Sequence, residues 1–213
     1  MSDVADLRED YTRGALERDD LLADPIEQFR VWLEAAIADQ LDEPNAMVVA
    51  TVDAAGVPNA RVVLLKAYDE RGFVFYTNYE SDKARELEGA GHAALVFNWL
   101  PHERQVRIRG PVERVSRPET AAYFHSRPKG SQLGAWASPQ SRVIDGREVL
   151  EGNKVRLERE YAGIAEVPVP AHWGGYRVAP AELEFWQGRS SRLHDRFRYR
   201  QSGGAWRVER LAP

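Results

Sequence analysis

Met47-Val-Val-Ala-Thr-Val-Asp-Ala-Ala-Gly-Val-Pro-Asn-Ala-Arg-Val-Val-Leu-Leu-Lys-Ala-Tyr-Asp-Glu-Arg-Gly-Phe-Val-Phe-Tyr-Thr-Asn78 decides the fold class of this chain. Met47–Val52 is apolar and β-branched, and Asp53-Ala-Ala-Gly56 turns the chain. Ala60–Tyr68 reads as a second strand, Asp69-Glu-Arg-Gly72 as a second turn and Phe73–Asn78 as a third strand. Connections this short join antiparallel neighbours, because a parallel crossover needs a dozen or more residues.

The same reading extends outward. Ala93–Trp99 and Gln105–Val115 form a further strand pair around Pro101-His102-Glu103. Gly175–Val178, Glu182–Trp186, Arg192–Arg200 and Trp206–Leu211 are late strands, the last two joined at Gly203-Gly204. Helices are fewer. Asp24-Pro25-Ile26-Glu27 is a helix start, with Asp24 as cap, Pro25 in the first turn and Glu27 placed to reach back. Ile26, Phe29, Leu33, Ala36 and Ile37 then make an apolar stripe. Ser81 caps a short helix through Glu88, and further helices fit Pro118–His125 and Gly146–Tyr161. The pattern predicts a mainly β chain: a closed or half-closed antiparallel barrel with helices packed outside. No repeat or linker divides it, so residues 1–213 read as a single domain, with 1–20 as a mobile N-terminal arm.

The composition is that of an ordinary globular protein: 213 residues, 43% hydrophobic and 29% charged. A net charge of -4 argues against a general nucleic-acid binder, which needs a basic field. With no cysteine, disulfides, thiolate metal sites and cysteine nucleophiles are excluded. The five histidines show no metal-ligand spacing, so no metal is expected. No apolar run reaches the length of a membrane span and the N-terminus lacks a signal pattern, so the expected home is cytoplasmic.

Three segments carry candidate chemistry. Phe185-Trp-Gln-Gly-Arg-Ser-Ser-Arg-Leu-His-Asp-Arg-Phe197 holds an indole, three arginines and a histidine. In an extended strand Arg192, His194 and Arg196 share one face, where an anion or an electron-rich ring would relieve their repulsion. That chemistry suits a phosphorylated aromatic molecule; a solvated edge strand is the alternative. In Arg61-Val-Val-Leu-Leu-Lys66 the apolar centre predicts burial on both faces. An unbroken strand sends the two cations to opposite faces, with backbones roughly 16 Å apart. Each then serves its own anion, or pairs with a carboxylate such as Asp69 or Glu70. Tyr123-Phe-His-Ser-Arg127-Pro-Lys-Gly-Ser131 offers a phenol and a guanidinium on one helical face and a hydroxyl in the following loop. Thr77 and Lys83 near a helix start could cradle phosphate, as an ordinary cap could also explain. Gln105, Gln140 and Ser141 are polar positions of low specificity. No GxGxxG, Walker loop or nucleophile elbow is present.

Taken together, these segments resemble the pyridoxine/pyridoxamine 5′-phosphate oxidase family. The resemblance runs through Asn45–Thr51, Arg61–Lys66, Phe75–Asn78, Glu103-Arg-Gln-Val106, Tyr123–Pro128, Gln132–Trp136, Trp173-Gly-Gly-Tyr-Arg177, Glu184–Gly188, Arg192–Phe197 and Glu209–Pro213. It implies an FMN-binding split β-barrel and a homodimer with FMN where the subunits meet. It also implies oxidation of pyridoxamine or pyridoxine 5′-phosphate to pyridoxal 5′-phosphate, with hydride passing to flavin N5 and O2 reduced to H2O2. FMN contacts are implied at Arg61, Val62, Val63, Leu64, Leu65, Lys66, Tyr76, Thr77, Lys83, Gln105, Gln140, Ser141, Trp186 and Arg196. Substrate contacts are implied at Arg8, Tyr11, Lys66, Tyr123, Arg127, Ser131, Arg192 and His194, the last two lying against the ring as catalytic residues. Two positions depart from the family pattern: Asp82 precedes Lys83, and Glu9 follows Arg8, where basic residues occur. Another flavin or deazaflavin reductase on the same barrel, or a non-catalytic carrier of pyridoxal phosphate or FMN, are the rival readings.

Overall fold

The first hairpin is held by its own turn residue. In the computed structural model, which describes residues 3–7 and 9–213, Asp53 Oδ1 accepts from the N–H groups of Ala55 and Val57, each at 2.8 Å. That closes a hairpin in which Ala50 lies opposite Ala60. Among the described residues the chain order is α1 (Pro25–Ala38), β1 (Ala46–Val52), β2 (Pro58–Leu64), β3 (Ala67–Asp69), β4 (Gly72–Asn78), α2 (Asp82–Ala90), β5 (His92–Trp99), β6 (Arg104–Arg114), α3 (Arg117–Ser126), α4 (Lys129–Ala137), α5 (Arg147–Glu160), β7 (Trp173–Val178), β8 (Glu182–Gln187), β9 (Asp195–Ser202) and β10 (Ala205–Leu211).

All strand pairs are antiparallel. The main path runs β10-β9-β8-β6-β5-β1-β2, and β3-β4-β7 branch from β6 to make a curled half-barrel. β6 is the hinge of this arrangement. Along one edge it pairs with β5; along the other it pairs with β8 up to Arg109 and with β7 from Val112. The chain linking β7 to β8 crosses it at Gly110, where Ala179 N–H bonds Pro111 O and Ala181 N–H bonds Arg109 O, both at 2.9 Å. A β-carbon on Gly110 would sit 1.7 Å from Ala179 O.

Three local expectations are corrected. The strand expected over Ala60–Tyr68 breaks in two. Leu65 N–H still bonds Asn45 O on the β1 side (2.8 Å), whereas Lys66 N–H bonds Val74 O of β4 (2.9 Å). The chain changes sheet partner there, and the five-residue parity argument for Arg61 and Lys66 lapses. β2 is also not buried on both faces: it is the edge strand, and Val62 is 64% exposed. Finally, the segment Pro128–Ser131, expected as loop, leads directly into α4.

The core fills the half-barrel and takes one face of α1. Asp24 caps α1 by accepting from Ile26 N–H, while Glu27 turns away to Arg30 instead of reaching back. Ile26, Phe29, Leu33 and Ala36 face inward with Trp32, whereas Ile37 is exposed. Phe29 meets Phe73 and Phe97 edge-on at 4.9 and 4.8 Å; burying such a ring contributes about 1.5–3 kcal/mol. A second cluster of Phe124, Leu133, Leu157 and Trp173 packs α3, α4 and α5 against β7. Residues 11–20, expected as part of a mobile arm, are tied down. Leu16 is buried and its N–H donates to Asp195 Oδ2 at 3.1 Å, and Glu17 pairs with Arg210 at 2.9 Å.

The crossing at Gly110 gives a stability prediction. Gly110→Ala must displace backbone and loses about 1–3 kcal/mol or more. Gly89→Ala on α2, whose methyl meets nothing within 4 Å, gains about 0.5–1 kcal/mol. Urea unfolding of both variants checks this; equal stabilities would contradict the crossing.

Candidate active site

A cavity of about 830 Å³ opens between β2, β4, α2, α3 and α4. Its lining includes four cations, Arg61, Lys66, Lys83 and Arg127, and no carboxylate. β2 supplies Arg61 and the backbone of Val62, Val63 and Leu64. The break after Leu64 returns Lys66 to the same space, so both ends of the Arg61–Lys66 segment serve one cavity. Leu65 between them points into the core.

Arg61 does not pair with Asp69 or Glu70. Its guanidinium bonds Glu86 Oε2 of α2 at 2.8 Å and the hydroxyl of Thr51. Glu86 also accepts from Asn59 Nδ2 at 3.0 Å, and these donors hold its carboxyl below the usual range against the effect of burial. Lys83, in the first turn of α2, is buried. Its ammonium lies 3.1 Å from Thr77 Oγ1 and 3.3 Å from Gln140 Oε1. Burial pushes the Lys83 pKa down, and the neighbouring charge of Arg61 adds to that. Gln140 Oε1 also accepts from the Thr77 hydroxyl at 2.9 Å.

The far wall is aromatic. Tyr76 stacks on Tyr123 at 4.0 Å and on Trp173 at 5.4 Å. Burial, with Glu119 and Tyr123 nearby, pushes Tyr76 up to about 12, and burial raises Tyr123, so both phenols stay protonated and can donate. α3 ends at Ser126, so Arg127 does not continue the helical face of Tyr123; it is extended, with φ -79° and ψ 148°. That conformation lays its guanidinium 4.7 Å from the Trp173 ring centre and lets Nη2 donate to Ser131 O at 2.8 Å. Its Nη1 is buried with no protein partner. Ser131 lines the cavity from the first turn of α4.

A second cavity, of about 690 Å³, lies at the end of β8 and shares no lining residue with the first. Tyr11, Trp186, Arg192 and His194 line it. The expected strand alternation of Arg192, His194 and Arg196 does not occur. Ser190–Arg192 is a 3-10 turn in which Ser191 and Arg192 take left-handed φ of 55° and 60°, and β9 starts only at Asp195. His194 stacks obliquely on Trp186 at 4.6 Å, and Tyr11 lies 5.7 Å from each ring. His194 Nδ1 accepts from Arg189 N–H at 3.1 Å, which places the neutral ring's proton on Nε2.

The expected site residues therefore divide. Arg61, Val62, Val63, Leu64, Lys66, Tyr76, Thr77, Lys83, Tyr123, Arg127, Ser131 and Gln140 meet in the first cavity. Tyr11, Trp186, Arg192 and His194 meet in the second. Gln105 sits in β6 opposite Trp186, and Arg196 bonds Glu184 Oε1 at 2.8 Å on the same sheet. Ser141, with left-handed φ of 69°, lines neither cavity. Arg8 lies outside the described residues. Trp173, Asn78 and Ser138 line the first cavity and were given no role from sequence. Asn78 lay in the Phe75–Asn78 stretch of the resemblance, and Trp173 in the Trp173-Gly-Gly-Tyr-Arg177 motif, whose glycines admit Tyr79 and Tyr76 against β7.

Residues 33–158 match the family described as pyridoxamine 5′-phosphate oxidase, and residues 173–213 match the pyridoxine 5′-phosphate oxidase C-terminal dimerisation region. A pyridoxine/pyridoxamine 5′-phosphate oxidase of Salinibacter ruber is 58% identical over 215 residues, covering 100% of both chains. Its counterpart in Cupriavidus necator is 52% identical over 214 residues with the same coverage. Among solved structures, PhzG from Burkholderia lata in complex with tetrahydrophenazine-1-carboxylic acid superposes with a TM-score of 0.87 at 32% identity, covering 93% of this chain and 98% of that one. An FMN-binding, pyridoxamine 5′-phosphate oxidase-related protein of Nostoc punctiforme has a TM-score of 0.70 at 15% identity, covering 89% and 98%, and shares the split-barrel fold.

The unpartnered Arg127 Nη1 gives a prediction independent of any reaction. Inorganic phosphate raises the melting temperature of the protein, and Arg127→Ala reduces that rise. A tenfold weaker site forfeits about 1.4 kcal/mol of ligand stabilisation at high phosphate. Equal rises in the two proteins would remove Arg127 from the anion site.

Proposed function

The chain belongs to the pyridoxamine 5′-phosphate oxidase family, and on that premise we infer that it is an FMN-dependent oxidase converting pyridoxine or pyridoxamine 5′-phosphate to pyridoxal 5′-phosphate. The observation that carries this reading is the first cavity: four cations, no lining carboxylate, a buried guanidinium nitrogen without a partner, and an aromatic wall. Such a donor set suits phosphorylated planar rings and fits FMN together with a phosphorylated pyridine. FMN, when bound, would supply the two-electron acceptor, with O2 as the final oxidant and H2O2 as its product.

The residues divide the binding work. Arg61 to Lys66, Tyr76, Thr77, Lys83 and Gln140 are proposed to hold FMN, with Arg61 and Lys83 as the principal charges. Lys66, Tyr123, Arg127 and Ser131 are proposed to hold the substrate phosphate, the Tyr123 phenol donating because it remains protonated. Arg192 and His194 are proposed to face the substrate ring, His194 donating from Nε2. Gln105, Trp186, Arg196 and Ser141 complete the proposed flavin contacts. Anchoring one end by phosphate and the other by Arg192 and His194 restricts the ring to a reactive orientation, the kind of positioning that accelerates a bimolecular step.

In this proposal the first cavity of one subunit and the second cavity of its partner form one site. Support comes from the exposed β2 edge, where Val62 is open, and from the match of residues 173–213 to a dimerisation region. A homodimer with FMN at the subunit boundary is the reading that uses both cavities. The proposed location is cytoplasmic, which suits a phosphorylated, membrane-impermeant substrate; no helix among the described residues is long and apolar enough to cross a membrane.

Mixing the purified yellow protein with pyridoxamine 5′-phosphate in the absence of air bleaches the flavin absorbance; admitting air yields aldehyde and peroxide. Persistence of the flavin colour would contradict the oxidase reading. Arg192→Ala lowers kcat/KM at least tenfold, on the order of one hydrogen bond to a charged group, with FMN content retained. Unchanged turnover would remove Arg192 from the site.

A further inference from the structure

We infer that Glu103, which touches neither cavity, is the positioning residue that sets Tyr11 over the second one; the inference rests on the proposed function for its substrate. Glu103 is held at the turn between β5 and β6 in a left-handed conformation, φ 53° and ψ 38°. Its backbone carbonyl is claimed twice, by Gly188 N–H at 2.7 Å and by Gln187 Nε2 at 3.3 Å. The side chain is thereby aimed at the N-terminal segment. Oε2 accepts from Arg13 N–H at 2.9 Å and Oε1 from Thr12 N–H at 3.3 Å.

Those two N–H groups belong to a segment with no helix or strand to satisfy its backbone. The segment is fixed at two carboxylates instead: Glu103 before Gly14, and Asp195, which accepts Leu16 N–H at 3.1 Å, after it. Gly14 lies flat against the Gln187 amide, where a β-carbon would come within 3.4 Å. Tyr11 is the residue immediately before the Glu103 anchor. Its ring is 5.7 Å from both Trp186 and His194 and lines the second cavity. Gly188 makes the approach possible. A β-carbon there would meet Tyr11 Cγ at 2.8 Å and Glu103 Cβ at 3.0 Å.

Glu103 therefore acts through Tyr11. A carboxylate is suited to the task because each oxygen takes one of two successive N–H donors, and bonds to an ionised acceptor are stronger than neutral ones. A glutamine keeps one acceptor and confronts the other N–H with its own donor.

The test uses the full-length FMN-loaded protein. Glu103→Ala raises KM for pyridoxamine 5′-phosphate roughly tenfold with FMN content retained, and speeds amide hydrogen exchange at Thr12 and Arg13. Glu103→Gln falls between it and the wild type. Gly188→Ala, which keeps the carboxylate but crowds both Tyr11 and Glu103 Cβ, raises KM in the same direction and serves if Glu103→Ala does not fold. In a Tyr11→Ala background, Glu103→Ala changes KM less than about twofold, because the two act along one route. The inference is overturned by an unchanged KM in Glu103→Ala, or by the same fold-rise in the Tyr11→Ala background as in the wild type. If the wild type does not oxidise pyridoxamine 5′-phosphate, the proposed function fails on its own. The exchange rates of Thr12 and Arg13 then decide the positioning role, and unchanged rates in Glu103→Ala overturn it.

Discussion

The gathering of four cations, Arg61, Lys66, Lys83 and Arg127, around one cavity is the constraint on which the rest of the site depends. Two like charges 4 Å apart repel by about 4 kcal/mol at a protein-like dielectric, and the cavity they share offers no lining carboxylate to offset it. The counter-charge of Arg61, Glu86, stands behind it and is also engaged with Thr51 and Asn59. Lys83 registers the strain, its pKa lowered by burial and then by Arg61. A fold stabilised by some five to fifteen kcal/mol, roughly the usual range, keeps such a cluster only if the barrel and its helices hold it rigidly or an anion relieves it. Here the framework sets each in place: β2 presents Arg61, the break between β2 and β3 Lys66, α2 Lys83 and the α3–α4 junction Arg127.

The half-barrel explains why the proposed site needs two chains. β6 is shared by β5, β8 and β7, so its neighbours diverge to opposite ends of the sheet. The cation cavity forms beside the β2 edge and the aromatic shelf of Trp186 and His194 beyond the end of β8. The exposed apolar edge of β2, unusual for a strand so rich in valine and leucine, is the surface a partner would cover.

Much of this was legible in the sequence because the signals are local. Asp53 and Gly56 announce the first hairpin, Asp24-Pro25 the start of α1, and Ser81 the start of α2. The resemblance then gathered Arg61, Lys83, Tyr123, Arg127 and Ser131, which the first cavity does bring together. What stayed hidden depends on partners distant in sequence. The break at Leu65-Lys66 follows from Lys66 taking a bond from β4 instead of β1. Pro128-Lys-Gly-Ser131 carries loop residues, yet proline's fixed φ suits a helix entry and α4 is stabilised by packing Leu133 and Ala137 against α5 and β7. Arg192 and His194 lie in a turn because left-handed Ser191 and Arg192 interrupt the alternation, and no propensity of serine or arginine foretells that conformation. Glu103, inside a recognised motif, gave no sign that its carboxylate reaches a segment some ninety residues earlier, a separation its bonds to Thr12 and Arg13 span.

The central claim, that each site combines the first cavity of one chain with the second cavity of the other, is tested most directly by subunit mixing. Arg127→Ala damages only the first cavity and Arg192→Ala only the second. Co-refolded in equal amounts and assayed at low substrate, the two impaired variants form mixed dimers in which one site carries both defects and the other carries none. The account predicts recovery of about a quarter of wild-type activity, since half the dimers are mixed and half their sites are intact. Sites built within single chains would give no recovery on mixing, and that result would contradict it.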